Sequence, residues 1–256
     1  YMKKLSSLVK SYKIDVIHCQ EPTDVVFATL AKLNNPHVRI VETIHDIGEA
    51  KDYSYIELLL ADKICNRYIA ISESVKKELI RRKISQERIT VIYNAVNTKK
   101  FASRNIATKH RSKIDSGEIV IGNVARFYPE KKGQYVLVKA IEILKIKYPQ
   151  ICCYFAGGIY RGQEDNWNKI NQYIIEHDLK TNIRFLGNVD DIPKFLSQID
   201  IFVLPSYYEG FGISLIEAMS MGIPCVASDI DGPKEIMNSA NLGRLFRVGD
   251  VNSLSR

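Results

Sequence analysis

Short runs of β-branched and aliphatic residues alternate with longer stretches of helical periodicity along the whole chain. Met2, Leu5, Leu8, Val9 and Tyr12 recur at helical spacing, and Ile14-Asp15-Val16-Ile17-His18-Cys19 follows as a strand. Pro22-Thr23-Asp24 supplies a helix start for residues to about Leu33. Val38 to Ile44 reads as a second strand, and a helix is expected over about Ser54 to Ile64. Arg67 to Ile71 is a third strand, Ser72 a good N-cap for the helix carrying Val75, Leu79 and Ile80, and Ile89-Thr90-Val91-Ile92 a fourth strand. The rhythm breaks over residues 97–117, which are polar, basic and weakly periodic. It restarts with strands expected near 119–124, 151–156, 182–185, 200–204, 224–227 and 243–246, and helices near 133–147, 164–177, 192–198, 213–220 and 233–238.

Strands separated by helices cannot pair as hairpins, so they form parallel sheets with right-handed crossovers. Near-continuous apolar runs such as Ile199-Asp200-Ile201-Phe202-Val203-Leu204 suit strands buried on both faces. The expected fold class is therefore α/β, with two doubly wound, Rossmann-like parallel-sheet domains. The pattern divides into a partial first domain at 1–98, a connection at 99–117 and a second domain at 118–256. The first domain reads as truncated, since the chain opens at Tyr1 without the beginning such a sheet needs. In these sheets ligands bind beyond the carboxyl ends of the strands, so the loops that follow strands carry the candidate chemistry.

Composition narrows the picture in three ways. No apolar run approaches the ~20 residues that span a bilayer. The five cysteines form no C-x-x-C pair and are odd in number, which points to buried free thiols in a reducing compartment such as the cytoplasm. The net charge of +7 favours anionic partners, although much of it lies on helices such as Lys76 to Lys83, where it also reads as a solvated basic face.

The most informative loop runs from Pro205 through Tyr208-Glu209-Gly210-Phe211-Gly212 into a helix carrying Glu217. Gly210 and Gly212 permit close backbone approach, and the helix start offers free N–H groups to a phosphate. Glu209 and Glu217 would repel a phosphate, so they suit sugar hydroxyls. Taken alone, the stretch also reads as a glycine-rich turn flanked by two solvated acids. A second loop, Gly122-Asn123-Val124-Ala125-Arg126-Phe127-Tyr128-Pro129-Glu130-Lys131-Lys132-Gly133, places Arg126 six residues before Lys132. A guanidinium fork and an ammonium together could neutralise a diphosphate; alone, this is a basic loop. A third, Glu42-Thr43-Ile44-His45-Asp46, puts His45 at a strand end, where it could hydrogen-bond a hydroxyl or serve structure only.

These stretches occur together in an order that resembles glycosyltransferase family 4, the group 1 retaining glycosyltransferases of the GT-B fold. Ile14 to His18, Thr43 to Asp46, Ala61-Asp62-Lys63 with Ile69 to Ser74, Val91 to Asn97, the E-x7-E pair Glu209 and Glu217, and Pro224 to Asp229 carry the likeness over nearly the whole chain. The resemblance implies transfer of a sugar from a nucleotide-sugar donor, such as a UDP- or GDP-sugar, to a glycan or lipid-linked acceptor, with retention of configuration and without a metal. It implies Arg126 and Lys132 on the donor diphosphate, with Lys131 as the neighbouring choice. It further implies Glu209 on the transferred sugar, Glu217 on the ribose, and Phe211 and Gly212 as backbone donors. His45 is implied to reach the sugar. Gly210, and Gly157 in the glycine-rich turn after a later strand, complete the implied donor-contacting set. Tyr93 and Ala95 depart from the family's proline and glycine, and the chain stops at Arg256, before the family's last crossing helix.

Other classes fit less well. A sugar-nucleotide epimerase would need a further matched histidine or carboxylate. A catalytically impaired nucleotide-sugar-binding protein would be expected to have lost some of the matched side chains. Ala156 to Gly162 lacks the G-x-G-x-x-G spacing of a dinucleotide oxidoreductase. No basic stripe with stacking aromatics marks a nucleic-acid partner. Peripheral contact with an anionic membrane at its inner face is consistent with the charge.

Overall fold

The computed structural model describes residues 2–46, 63–102 and 119–256. Nearly all of the helix expected at 54–64, and most of the connection expected at 99–117, lie outside the described residues. The chain divides into two compact units, Tyr1–Asn94 and Ala95–Arg256.

The first unit holds a parallel sheet of β1 (Val16–Cys19), β2 (Arg39–Ile44), β3 (Arg67–Ala70) and β4 (Ile89–Val91), in that spatial order. Ile40, Ile44, Tyr68 and Ala70 of the inner strands are buried, as parallel strands covered by helices require. Helices α1 (Met2–Ser11) and α2 (Pro22–Leu33) pack through Val9 and Ala31, with Val38 closing the cluster. Asp24 starts α2, its Oδ2 accepting from the backbone N–H of Gln20 and of Glu21 at 3.1 Å each. Helix α3 (Glu73–Arg81) begins at Ser72, whose hydroxyl accepts from the Val75 N–H at 3.2 Å, as the sequence predicts.

The second unit holds six parallel strands: β5 (Ile119–Val124), β6 (Ile151–Ala156), β7 (Ile183–Phe185), β8 (Ile201–Leu204), β9 (Cys225–Ser228) and β10 (Arg244–Phe246). Their spatial order is β10-β9-β8-β5-β6-β7. The chain builds outward from β5 through β6 to β7, then returns to the other side of β5 and builds outward again. The helix expected at 133–147 is α5 (Gln134–Lys147), and a short α4 (Pro129–Lys132) that the pattern does not predict precedes it, the two divided at Gly133 with φ 68°. Helices α5 and α6 (Glu164–Glu176) bury Leu137, Val138, Ile141, Ile170 and Ile174 on one face of the sheet with Ile121 and Val203. Helices α7 (Ile192–Leu196) and α8 (Ile213–Ser220) bury Phe195, Leu196, Leu215 and Ala218 on the other with Val120, Phe202 and Leu204. Alternate residues of β5 and β8 thus serve opposite layers, which explains their unbroken apolar character. Helices α9 (Asp231–Ile236) and α10 (Val251–Leu254) follow β9 and β10.

No cysteine is in a disulfide, and burial pushes the thiols of Cys19, Cys65 and Cys225 up to about 12, which makes them poor nucleophiles.

On α3 the buried carboxylate of Glu78 accepts from Arg81 Nε at 2.8 Å and Nη2 at 2.7 Å, and from Arg82 Nε at 3.0 Å. Hydrogen bonds from Arg81 foremost hold its pKa down to about 2 against the opposing effect of burial. A depressed carboxylate pKa contributes stability above its unfolded value, and that stability disappears as pH falls through the folded one. Glu78→Gln is therefore expected to destabilise the chain at pH 7 by on the order of 1 kcal/mol. Urea titrations should show the difference shrinking between pH 5 and pH 2, and a pH-independent difference would refute this account.

Candidate functional site

The reversal of strand order falls between β5 and β8, and their ladder is short. Ile121 pairs with Ile201 and Gly122 with Phe202. One residue further on, the Asn123 side chain, 1% exposed, donates from Nδ2 to the Val203 carbonyl at 2.9 Å. The amide spans a gap that backbone bonding no longer closes. Beyond it the segments that follow the two strands pack on opposite faces of the sheet, and in sheets of this kind the crevice at such a reversal is the usual ligand position.

The loops on either side of the crevice are stitched together. The Tyr207 N–H donates to the Lys131 carbonyl at 2.9 Å. A β-carbon on Gly133 would lie 1.9 Å from the Pro205 carbonyl oxygen, so only glycine permits this approach and the left-handed turn with it. The turn carries Lys132 across to β8's loop, where its Nζ meets Glu209 Oε2 at 2.7 Å. The Ser206 hydroxyl, itself buried, donates to the same oxygen at 3.3 Å. Both charged side chains are largely buried, where such a pair holds its geometry better than at an open surface.

Gly210, Phe211 and Gly212 complete the turn, Phe211 buried and Gly212 at φ 115° leading into α8. That dihedral lets the chain turn sharply and present the first N–H groups of α8 at the carboxyl edge of the sheet. Glu217 sits one helical turn further on. Burial raises its pKa, and the charge of Lys100 partly offsets this. Lys100 is placed by an Asx turn in which Asn97 Oδ1 accepts from the N–H of Lys99 at 3.0 Å and of Lys100 at 3.1 Å. Phe101 is buried in the core beside Ala218, and Ser220 Oγ donates to its carbonyl at 2.8 Å. The first residues of the expected connection thus belong to the second unit.

Arg126 is exposed just past β5, with its carbonyl held by Gln134 Nε2 at 2.9 Å. Gly157 follows β6 in the same row of loops, its N–H donating to the Gly187 carbonyl at 2.7 Å. In the first unit, His45 stands just past β2 with Nε2 2.7 Å from Gln20 Oε1. An amide oxygen only accepts, so the ring nitrogen donates. Gln20 Nε2 lies 3.2 Å from His18 Nε2, which the Thr43 hydroxyl also approaches at 2.7 Å.

The second unit therefore brings Arg126, Lys131, Lys132, Gly157, Glu209, Gly210, Phe211 and Gly212 to loops at one sheet edge, with Glu217 close behind. His45 belongs to the other unit. Sequence reasoning missed Ser206, Asn123, Gln134 and Lys100 because their roles come from contacts across the fold. Gln20 and His18 had a local signal: two residues apart on a strand end, they share a face. Among the described residues no three His, Cys, Asp or Glu side chains converge as a metal site would require.

Two successive parallel-sheet α/β units are the architecture of the GT-B class of protein. HepE of Anabaena, solved in complex with UDP, superposes with a TM-score of 0.86 at 24% identity over 99% of this chain and 70% of that one, a likeness of fold. The family described as "Glycosyl transferases group 1" matches residues 105–256, and "Glycosyltransferase Family 4" matches residues 1–100. The chain belongs to the group 1 glycosyltransferases, an enzyme family. An Escherichia coli UDP-Gal:alpha-D-GlcNAc-diphosphoundecaprenol alpha-1,3-galactosyltransferase is 28% identical over 98% of this chain and 68% of its own length. The phosphatidyl-myo-inositol mannosyltransferase of Mycolicibacterium smegmatis is 28% identical over 99% of this chain and 63% of its own. The chain thus spans about two thirds of the length of these relatives.

Gly133→Ala tests the stitching. The backbone clash and left-handed strain should cost at least about 2 kcal/mol, read as a lower urea midpoint, whereas unchanged stability would mean the two loops can part freely.

Proposed function

We propose that the protein transfers a sugar from a nucleotide-sugar donor to a glycan or lipid-linked acceptor with retention of anomeric configuration. The observation that carries this reading is the Lys132–Glu209 pair at the β5/β8 reversal, next to the glycine turn that opens α8. A nucleoside diphosphate needs cations and backbone N–H groups for its phosphates, and acids for its hydroxyls. The crevice offers both kinds of group on adjoining loops. A site for a neutral ligand would not need a lysine and an arginine there.

In this reading Arg126 and Lys132 neutralise the diphosphate as it leaves, with Lys131 beside them, and charge neutralisation falls to these cations rather than to a metal. Lys132 exchanges part of its bond to Glu209 for the phosphate, and the released carboxylate oxygen accepts from a hydroxyl of the transferred sugar. The N–H groups around Phe211 and Gly212 and the turn at Gly210 face the phosphate and sugar, and Gly157 lines the same edge. Glu217, its carboxylate strengthened as a base by burial, accepts from the ribose hydroxyls. His45 keeps the sugar-hydroxyl role that the family resemblance implies, with Gln20 fixing its Nε2 as donor. A relative named for UDP-galactose, and a fold neighbour holding UDP, favour a UDP-sugar as the first donor to try. The undecaprenyl-linked and phosphatidylinositol acceptors in the relatives' names favour a lipid-linked acceptor at a membrane surface. Among the described residues no helix is long and apolar enough to cross a membrane.

A thermal-shift screen against UDP-glucose, UDP-galactose, GDP-mannose and ADP-glucose should raise the melting temperature for one base class. By calorimetry, Arg126→Ala should then weaken that donor about tenfold to a hundredfold, the worth of a lost charged hydrogen bond, and Glu217→Ala should weaken it less. Undiminished affinity in both variants would sink the proposal.

A further inference from the structure

Strands β5 and β6 continue past their formal ends as a narrow seam. The Ala125 N–H donates to the Ala156 carbonyl at 3.0 Å, Phe127 to Gly158 at 2.9 Å, and Tyr160 back to Phe127 at 3.1 Å. Phe127 and Ile159 form a parallel bridge within it. Side chains along such a seam alternate between its two sides. Phe127, 2% exposed, turns inward and meets Trp167 and Phe185 edge-on, with ring centroids 5.2 and 5.6 Å away. That anchor leaves Arg126 and Tyr128 on the outer side. There Tyr128 stacks on Tyr160 with centroids 5.3 Å apart and planes within 4°, and the Arg126 guanidinium carbon lies 5.7 Å from the Tyr160 ring centre.

Arg126 is thus held at both ends, its carbonyl by the buried Gln134 amide and its guanidinium by an aromatic face. Among the described residues the guanidinium makes no ion pair, while Lys132 is engaged with Glu209. An exposed arginine ordinarily samples many rotamers, and fixing it on a ligand costs entropy. A ring that already holds the guanidinium reduces that cost and leaves the edge of its fork for hydrogen bonds.

We propose that Tyr160, backed by Tyr128, is a positioning residue that pre-orients Arg126 for the diphosphate of the donor. The proposal rests on the functional reading above, and the tyrosine pair deepens it by adding a residue that need not touch the ligand itself. Nothing in the sequence around Tyr160 marks such a role, because the ring reaches Arg126 only through the seam.

A double-mutant cycle tests it, with UDP, GDP and ADP titrated calorimetrically into the full chain and the tightest of the three carried through. Tyr160→Ala and Tyr160→Leu should each weaken binding by on the order of threefold to tenfold, the size of an exposed to partly desolvated cation–π contact. Tyr160→Phe should stay within about twofold of the wild type, since the ring and not the hydroxyl does the holding. In an Arg126→Ala background, Tyr160→Ala should have no further effect. Tyr160 is 42% exposed, so the variants are expected to fold, and melting curves check this. Equal losses from Tyr160→Ala in both backgrounds, or no loss in the wild-type background, would overturn the positioning role while leaving the functional reading intact. If Arg126→Ala itself leaves the affinity unchanged, the positioning role falls with it, while the functional reading falls only if Glu217→Ala is without effect as well.

Discussion

Between β5 and β8 the second sheet reverses the direction in which the chain lays down strands, and the site depends on that reversal. Two neighbouring strands whose following segments depart to opposite faces cannot keep bonding at their carboxyl ends. The backbone ladder ends at Gly122 and Phe202, and the buried Asn123 amide makes the last bond across. A crevice lined by loop backbone from both sides is what remains. Each loop supplies a different chemistry: the one after β5 carries the cations, and the one after β8 carries the carboxylate and the glycine turn.

The two halves are held at a fixed spacing by contacts that tolerate little change. Gly133 lets the backbone after α4 press against Pro205, and the Tyr207-to-Lys131 hydrogen bond closes the same junction. Lys132 then reaches Glu209 without searching for it. The Glu209 carboxylate thus neutralises the part-buried ammonium of Lys132, the lysine that a phosphate is proposed to need. Arg126 is treated differently: exposed, without an ion pair among the described residues, and steadied by aromatic and amide contacts. One cation is held in a salt bridge and the other against a ring.

Much of this was legible in the chain. The alternation of apolar runs with helical periodicity predicts parallel sheets, and the strands expected at 119–124 and 151–156 coincide with β5 and β6. The Ser72 cap, the glycine turn and the Arg126-to-Lys132 spacing are local signals, readable because helix starts and tight turns depend on a few adjacent residues. What was not legible is equally specific. The short α4 ahead of the expected helix, and the glycine turn at Gly133 that divides the two, depend on the close approach of the Pro205 backbone, more than seventy residues away. The docking of Phe101 on the second core hides inside a polar, basic stretch that reads as connection.

The sequence by itself determined the class of fold, the family and the kinds of side chain available to a nucleotide-sugar site, because periodicity, turn chemistry and motif spacing are properties of neighbours along the chain. Only the tertiary structure decided which of those side chains meet: that Lys132 pairs with Glu209, that Gln20 orients His45, and that a tyrosine from the next strand's loop lies against Arg126. Those pairings depend on the order of strands in a sheet and on the closeness of backbones, and neither leaves a mark on any short stretch of sequence.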